Sequence, residues 1–257
     1  MNAPIQSADL MPQTVEFKLN DQRVQAYEGE SILKAAQRHG VDIPHLCYKE
    51  GLRADGNCRA CVVEIKGERT LAPSCCRTAT AGLEVLVSDR AIKSQKMVLE
   101  MLLSDMPDAG YKWNDASSLG SSLAAATEDT PGSSCGEPKS SPGVSPVAAG
   151  VGESGALNQH GELSDWASRL NVSVRPALRA LRREQPACDV SHPAMAVNLD
   201  ACIQCNRCVR ACREEQVNDV IGYAHRGAHS QIVFDLNDAM GNSSCVACGE
   251  CVQACPT

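Results

Sequence analysis

Two runs of four cysteines in the final quarter of the chain constrain its folding more than any other feature. Both runs have the spacing Cys-x2-Cys-x2-Cys-x3-Cys, and they comprise Cys202, Cys205, Cys208 and Cys212, then Cys245, Cys248, Cys251 and Cys255. This spacing is typical of [4Fe–4S] cluster ligands, and in proteins with two such clusters the fourth cysteine of each run binds the other cluster. We therefore predict two crossed sets, namely Cys202, Cys205, Cys208 with Cys255, and Cys245, Cys248, Cys251 with Cys212. Zinc ligation is the alternative.

A second group of cysteines lies in the first third of the chain, with the spacing Cys47-x10-Cys58-x2-Cys61-x13-Cys75. The Cys-x2-Cys turn brings two thiolates to one iron, and the longer arms fold around a two-iron cluster. Gly56 permits close approach of the backbone to the cluster sulfides. Zinc sites more often have two short Cys-x2-Cys pairs. We therefore predict a [2Fe–2S] cluster, with zinc or buried free thiols as the alternative, and with either Cys75 or the adjacent Cys76 as fourth ligand.

The composition fits a chain held together partly by metal ligands. Fifteen cysteines stand against two Phe, two Trp and four Tyr, although aromatic side chains normally dominate core burial. The net charge of −7 excludes a basic nucleic-acid-binding protein, and no apolar run approaches the ~20 residues of a membrane span. The N-terminal residues also lack the pattern of a secretory signal. We therefore expect a cytoplasmic protein with reduced cysteines rather than a disulfide framework.

The hydrophobic pattern of the N-terminal third predicts a small mixed sheet crossed by one helix. Alternating apolar residues over 14–19 and 23–27, separated by Asn20 and Asp21, predict a hairpin. Ser31 is expected to cap a short helix that ends at Gly40. Two further strands are expected over 62–65 and 83–87.

A second helix is expected to begin after Ser88 and to end before Pro107. Its buried stripe is predicted to comprise Ile92, Met97, Val98, Met101 and Leu102. Nearer the C-terminus, a helix face is predicted to carry Arg175, Arg179, Arg182 and Arg183. We expect this face to be solvated; the alternative is that it binds an acidic partner.

Between the two cysteine-rich ends, residues 116–156 are mostly Ser, Gly, Ala and Pro. Such a stretch lacks the bulky apolar residues that offset the entropy of ordering, so we predict a flexible linker. The predicted organisation is therefore a [2Fe–2S] domain over 13–90, a helix over 91–106, a linker over 107–163, a helical connector over 164–192 and a two-cluster [4Fe–4S] domain over 193–257.

Segments within and beside the cysteine-rich ends of this chain resemble a known family. They are 46–48, 56–65 and 72–75 in the N-terminal third, and 191–200, 217–223 and 231–235 around the C-terminal runs. Together they resemble the N-terminal region of the α subunit of NAD-dependent molybdenum or tungsten formate dehydrogenases, and more broadly the large iron–sulfur subunit of complex I and some hydrogenases. The resemblance implies an α+β fold, with a β-grasp [2Fe–2S] ferredoxin domain, a flexible linker and a two-cluster [4Fe–4S] ferredoxin-like domain. It also implies that Cys75, rather than Cys76, is the fourth ligand.

One motif expected of the complex I and hydrogenase members is missing. These members carry His-x3-Cys-x2-Cys-x5-Cys just after the [2Fe–2S] domain, whereas this chain has Met106-Pro107-Asp108-Ala109 there. We take this difference as an argument against the complex I branch. The resemblance to formate dehydrogenase implies two partners, a molybdopterin-containing catalytic domain or subunit and NADH-oxidising flavin and iron–sulfur subunits.

A Gly-x-Gly-x-x-Gly string occurs at 150–155, but it lies in the predicted linker without the flanking strand and helix of a dinucleotide site, and the sequence contains no P-loop or Ser-His-Asp order. We therefore expect no catalytic site within this chain, and the predicted cofactors are one [2Fe–2S] and two [4Fe–4S] clusters. The predicted function is the relay of single electrons between a formate dehydrogenase-type active site and an NAD-reducing partner. The alternatives are a stand-alone ferredoxin-like adaptor of a hydrogenase or diaphorase, and a cluster-based sensor.

Overall fold

The computed structural model describes residues 13–106, 161–183 and 187–257. The predicted linker over 107–163 therefore lies almost wholly outside the described residues. The chain divides into two compact units, Met1–Leu99 and Glu100–Thr257. Within the described ranges, no helix is both long enough and apolar enough to cross a bilayer.

The first unit contains a five-stranded mixed sheet. Its strands are β1 (Thr14–Leu19), β2 (Gln22–Tyr27), β3 (Val62–Ile65), β4 (Ala72–Pro73) and β5 (Glu84–Leu86). The strand order is β2-β1-β5-β3-β4, with β1 parallel to β5 and the other neighbours antiparallel. The β1–β2 hairpin turns through Asn20 and Asp21, both left-handed, which matches the twist of the strands. The predicted hairpin is confirmed.

Helix α1 (Ile32–Arg38) packs its apolar face into the core of this unit. The Ser31 hydroxyl accepts a hydrogen bond from the backbone N–H of Lys34 at 3.3 Å, so the predicted cap is confirmed. Alternation along β1 buries Phe17 and Leu19, and these side chains join Leu33 in one hydrophobic cluster. This cluster also contains two of the predicted ligands, Cys61 and Cys75.

Helix α2 (Asp89–Ser104) has the predicted position but not the predicted buried stripe. The side chains that it buries most fully are Ala91, Gln95, Leu99 and Leu103, whereas Met97 and Met101 are 49% and 60% exposed. Gln95 is buried because its amide donates a 2.9 Å hydrogen bond to the backbone carbonyl of Val62. Because the polar residue Gln95 belongs to the buried stripe, apolar residues alone did not indicate its position. The predicted stripe was therefore wrong.

The second unit contains short elements. They are α3 (Glu162–Arg169), α4 (Pro176–Arg179), α5 (Arg207–Arg210), a π-helical turn (Ala211–Glu215), the hairpin strands β6 (Ile221–Ala224) and β7 (Gln231–Phe234), and α6 (Glu250–Ala254). Strands β6 and β7 pair antiparallel between the two cysteine runs. A small core forms on one side of this hairpin, from Val209, Val220, Ile221, Ile232, Phe234 and Met240.

The predicted arginine face binds groups of this chain itself. Arg175 donates two side-chain hydrogen bonds to the Glu100 carboxylate, at 2.7 and 3.0 Å. Arg179 donates to the backbone carbonyl of Met106 at 2.6 Å. Arg183 binds the backbone carbonyl of Cys202 through its guanidinium. The expectation of a purely solvated face is therefore wrong, because these side chains find partners far away in sequence.

Candidate metal centres

The loops around β3 and β4 bring four predicted ligands of the N-terminal unit together. The loop before β3 supplies Cys47, Cys58 and Cys61, and the residues after β4 supply Cys75. Thiols of the pairs Cys47–Cys58, Cys47–Cys75 and Cys61–Cys75 are within hydrogen-bonding distance. Cys47, Cys61 and Cys75 are only 0–2% exposed. The fold therefore places four sulfurs side by side in a site shielded from water.

Hydrogen bonds among these thiols divide them into donors and acceptors. Bonds from Cys58 and Cys75 lower the pKa of Cys47, and a bond from Cys75 lowers the pKa of Cys61. The same bonds, reinforced by burial, raise the pKa of Cys58 and of Cys75 above the usual value. Four thiolates at this spacing would repel one another strongly, so full deprotonation requires a cationic centre among them. An iron cluster fits this requirement.

The structure distinguishes Cys75 from Cys76. Cys75 is buried and contacts Cys47 and Cys61, whereas Cys76 is exposed, with its sulfur 3.6 Å from the sulfur of Cys75. Gly56 has a left-handed backbone, and a Cβ built on it would lie 2.8 Å from the sulfur of Cys76. The glycine therefore makes room for the Cys76 side chain, in addition to any role beside cluster sulfides.

Backbone N–H groups donate to cysteine sulfurs in the same way in three loops. The N–H two residues beyond the first cysteine of each Cys-x2-Cys turn lies 3.4–3.5 Å from that cysteine's sulfur. The three donor–acceptor pairs are Ala60 to Cys58, Gln204 to Cys202 and Ala247 to Cys245. Left-handed residues at Arg59, Gln204 and Ala247 turn the backbone within these loops. Such N–H donors stabilise thiolate ligands and tune the potential of a cluster.

The cysteines of the second unit influence one another across the two runs. Burial raises the pKa of Cys205 to about 12, and the charges of Cys255 and Cys202 add to this rise. Burial raises the pKa of Cys251 to about 11, with contributions from Cys245, Cys248 and Cys212. Cys255 therefore lies near cysteines of the first run and Cys212 near Cys251 of the second, while Cys251 also contributes to the raised pKa of Cys208. The crossed ligand sets stay a prediction.

A cavity of about 510 Å³ lies beside the first of these sets. Cys202, Cys205, Cys208 and Cys255 all line it, and so do apolar residues that include Met195, Val197, Ile232 and Phe234. The Tyr223 ring also lines the cavity, and burial raises the pKa of its hydroxyl. Over 13–106, 161–183 and 187–257, no three His, Cys, Asp or Glu side chains are arranged to hold a single metal ion. The thiols and the apolar wall of the cavity suit a larger, water-shielded group such as a cluster.

Two features of the second unit were not found by sequence reasoning. Cys188 is disulfide-bonded, so the expectation of reduced cysteines is wrong at this position, and Cys135 lies outside the described residues. Arg207, between the predicted ligands Cys205 and Cys208, is buried and paired with Glu162. The pair links residues 45 positions apart, so no local pattern could have indicated it.

Two family models match this chain. A model described as a 2Fe-2S iron-sulfur cluster binding domain matches residues 12–89, and a model described as a 4Fe-4S dicluster domain matches residues 194–256. The chain therefore contains a 2Fe-2S and a 4Fe-4S ferredoxin-type domain. All four cysteines of the first predicted set, and all eight of the C-terminal runs, lie within these matches.

Relatives extend the similarity beyond the separate domains. An NADH-quinone oxidoreductase subunit of Rhizobium meliloti (strain 1021) is 28% identical over 220 residues, which cover 85% of this chain and 21% of the relative. The NADP-reducing hydrogenase subunit HndD of Solidesulfovibrio fructosivorans is 44% identical over 86 residues, 31% of this chain and 15% of the relative. This chain thus spans about a fifth or less of the length of these two relatives.

A solved structure shares the fold. One chain of a crystal structure of an NAD+-reducing [NiFe]-hydrogenase in the H2-reduced state superposes with a TM-score of 0.66 at 23% identity, covering 95% of this chain and 85% of that chain. The relatives therefore make this chain similar to parts of NADH-quinone oxidoreductase and NADP-reducing hydrogenase subunits, and the solved structure shows a shared fold. This similarity weighs against the argument from the missing His-x3-Cys motif, and a specific relation to formate dehydrogenase stays a prediction.

Proposed function

We propose that this chain is an iron–sulfur electron-transfer module of an oxidoreductase. It would relay single electrons between an NADH-oxidising flavin and iron–sulfur partner and a second redox site. Its proposed [2Fe–2S] ligands are Cys47, Cys58, Cys61 and Cys75. Its proposed [4Fe–4S] ligands are Cys202, Cys205, Cys208 and Cys255 for the first cluster, and Cys212, Cys245, Cys248 and Cys251 for the second.

The proximity of Cys47, Cys58, Cys61 and Cys75, together with the two cysteine runs in the dicluster match, supports this proposal. Clusters held in such sites supply one-electron redox chemistry. The chain's own residues hold the sulfurs together, donate N–H hydrogen bonds to them and exclude water with apolar walls such as Ile232 and Phe234. The fold of the first unit, with parallel β1 and β5 at the centre of the sheet, supports its proposed assignment as a β-grasp domain.

The second redox site has two candidates. The segments around the C-terminal cysteines resemble those of formate dehydrogenase, and we propose a molybdopterin-containing domain or subunit as the partner on this basis. Similarity to a hydrogenase subunit and to a chain of an NAD+-reducing hydrogenase favours a hydrogenase site instead. For either candidate we propose a cytoplasmic complex.

Metal analysis tests the cluster content directly. Anaerobically purified full-length chain should contain about ten irons and about as many acid-labile sulfides, the sum expected from one [2Fe–2S] and two [4Fe–4S] clusters. Electron paramagnetic resonance of the reduced protein should show three spin systems. Stoichiometric zinc with no visible absorption would overturn the proposal.

A complex purified through a tag on this chain tests the electron path. NADH should reduce the clusters in the complex but not in the isolated chain, whose Gly-x-Gly-x-x-Gly string at 150–155 lacks the predicted strand and helix that a dinucleotide site needs. Anaerobic addition of formate or of H2 to the oxidised complex then distinguishes the two candidate sites. Cluster reduction by neither compound would exclude both.

A further inference from the structure

A buried arginine lies within the loop that holds the first proposed [4Fe–4S] cluster. Arg207 stands between Cys205 and Cys208 in sequence, and it is only 3% exposed. Its guanidinium donates two hydrogen bonds to the carboxylate of Glu162, from Nη1 to Oε2 at 2.7 Å and from Nη2 to Oε1 at 2.8 Å. This two-bonded geometry matches the planar fork of arginine to a carboxylate.

The position of Glu162 is set by packing against the C-terminal residues of the chain. Glu162 begins helix α3, and Gly161 just before it has φ +118°. A Cβ on Gly161 would lie 2.8 Å from the backbone oxygen of Pro256, so only glycine fits this close approach. Leu163 is also almost fully buried. The backbone just before Glu162 therefore lies against the short segment that follows the proposed ligand Cys255.

Arg207 lies directly beside a proposed cluster ligand. Its backbone N–H donates a hydrogen bond to the sulfur of Cys205, and its side chain is buried within the same ligand loop. The Arg207 side chain is 3% exposed and the Glu162 side chain 41% exposed, so solvent screens the buried guanidinium weakly and the carboxylate in part. A cluster becomes more negative by one charge when it accepts an electron, so an uncompensated cation beside it favours the reduced form. The negative charge of Glu162 offsets this effect.

We propose that the Glu162–Arg207 ion pair tunes the reduction potential of the cluster held by Cys205 and Cys208. The positive charge of Arg207 raises the reduction potential of the cluster. Glu162 limits this rise, because its carboxylate neutralises most of the charge of Arg207. Neither residue is a proposed cluster ligand; both act on the cluster through their charges. The inference rests on the proposed function, because it requires a cluster in this site.

Two substitutions should shift this potential in opposite directions. Glu162→Gln leaves the arginine uncompensated and should raise the midpoint potential of one [4Fe–4S] cluster. Arg207→Gln removes the cation and leaves the carboxylate, and should lower it. We expect each change to alter the reduction equilibrium constant about threefold to tenfold, with 59 mV for each factor of ten in a one-electron couple. Redox titration of the full-length chain, monitored by electron paramagnetic resonance, measures both shifts.

Matched controls separate charge from structural damage. Glu162→Asp keeps the charge and should restore a potential near that of the wild type. Asp219→Asn makes the same carboxylate-to-amide change in the Arg213–Asp219 pair, which follows the second-cluster ligand Cys212 but has side chains 58% and 62% exposed. Solvent should screen that pair, so its substitution should leave the potentials nearly unchanged.

The outcomes distinguish this inference from the proposed function. Wild-type chain without about ten irons would contradict the proposed function itself. Wild-type chain with normal clusters, but with no upward shift in Glu162→Gln or an equal shift in Asp219→Asn, would overturn only the ion-pair proposal. If Arg207→Gln fails to load iron, the comparison of Glu162→Gln with Glu162→Asp still decides the question.

Discussion

The N-terminal and C-terminal metal centres differ in how much ordinary protein core surrounds them. The N-terminal site is built on a five-stranded sheet and a capped helix, with fully buried Phe17, Leu19 and Leu33 in its core. The C-terminal sites rest on two four-residue strands and on helices of four and five residues. Two of their predicted ligands, Cys248 and Cys255, are exposed.

This difference indicates that the two units depend on metal binding to different extents when they fold. Helices of four or five residues are unstable alone, since the nucleation cost exceeds what so few hydrogen bonds return. In such a region the binding free energy of the metal becomes folding free energy. The N-terminal sheet buries enough apolar surface to arrange its thiols before a cluster arrives. We therefore expect the first unit to fold without its cluster and to arrange the four thiols in advance. The second unit is expected to need its clusters in order to fold.

Removal of iron should produce the largest effect. Anaerobic treatment of the full-length chain with a strong iron chelator should abolish amide-exchange protection over 187–257 while most protection over 13–99 remains, because only the second region depends on metal for its core. Hydrogen exchange resolved by peptide measures both regions in one sample. Equal loss of protection in the two regions would contradict the comparison.

Substitution of adjacent cysteines should give the next largest effect. Cys75→Ser should abolish the [2Fe–2S] electron paramagnetic resonance signal, because Cys75 is buried in contact with Cys47 and Cys61. Cys76→Ser, the matched control, should preserve the signal, because this side chain is exposed. In both variants the sheet should keep its amide protection. The opposite spectroscopic pattern would show that Cys76 is the ligand.

Truncation of a core side chain should destabilise the first unit by a measurable amount. Leu33→Ala removes a fully buried side chain and should cost about 2–5 kcal/mol of unfolding free energy in this unit. Met97→Ala is the control, because Met97 is 49% exposed, and should change the free energy by less than about 0.5 kcal/mol. Denaturant dependence of amide exchange in the sheet gives both values. Equal costs would mean that this core does not stabilise the unit.

Acidification should have the smallest effect. Burial of Glu30 acts to raise its pKa, but hydrogen bonds from Arg38 and from the Tyr27 N–H outweigh it, so the pKa is lowered from 4.5. A lowered pKa in the folded state contributes stability above the unfolded value, and this contribution is lost as the pH falls below about 4.5. Stability of the first unit should therefore fall less steeply with acid in Glu30→Gln than in the wild type. Parallel pH profiles would contradict the role of this ion pair.

Local features of the fold could be predicted well from sequence. The β1–β2 hairpin follows from alternation over a few residues and from two turn-forming residues between them. The cap at Ser31 follows from one hydroxyl and a backbone N–H three positions away. The ligand spacing also lies in the sequence, since short Cys-x2-Cys turns place their sulfurs together with little help from distant residues. These features depend on neighbours along the chain.

Other features were decided by contacts between distant parts of the chain. The buried face of α2 includes Gln95 because the carbonyl of Val62 meets it there, and apolar periodicity alone pointed to a different face. The difference in burial between Cys75 and Cys76 depends on Cys47, Cys61 and Gly56.

The buried arginine Arg207 also shows which features depend on local sequence and which depend on distant contacts. Sequence alone determined that Arg207 lies between two cysteines of a ligand run. Only the tertiary structure buried it and placed Glu162 against it, because the charge of a buried guanidinium requires a partner, and that partner belongs to a helix 45 residues earlier in the chain.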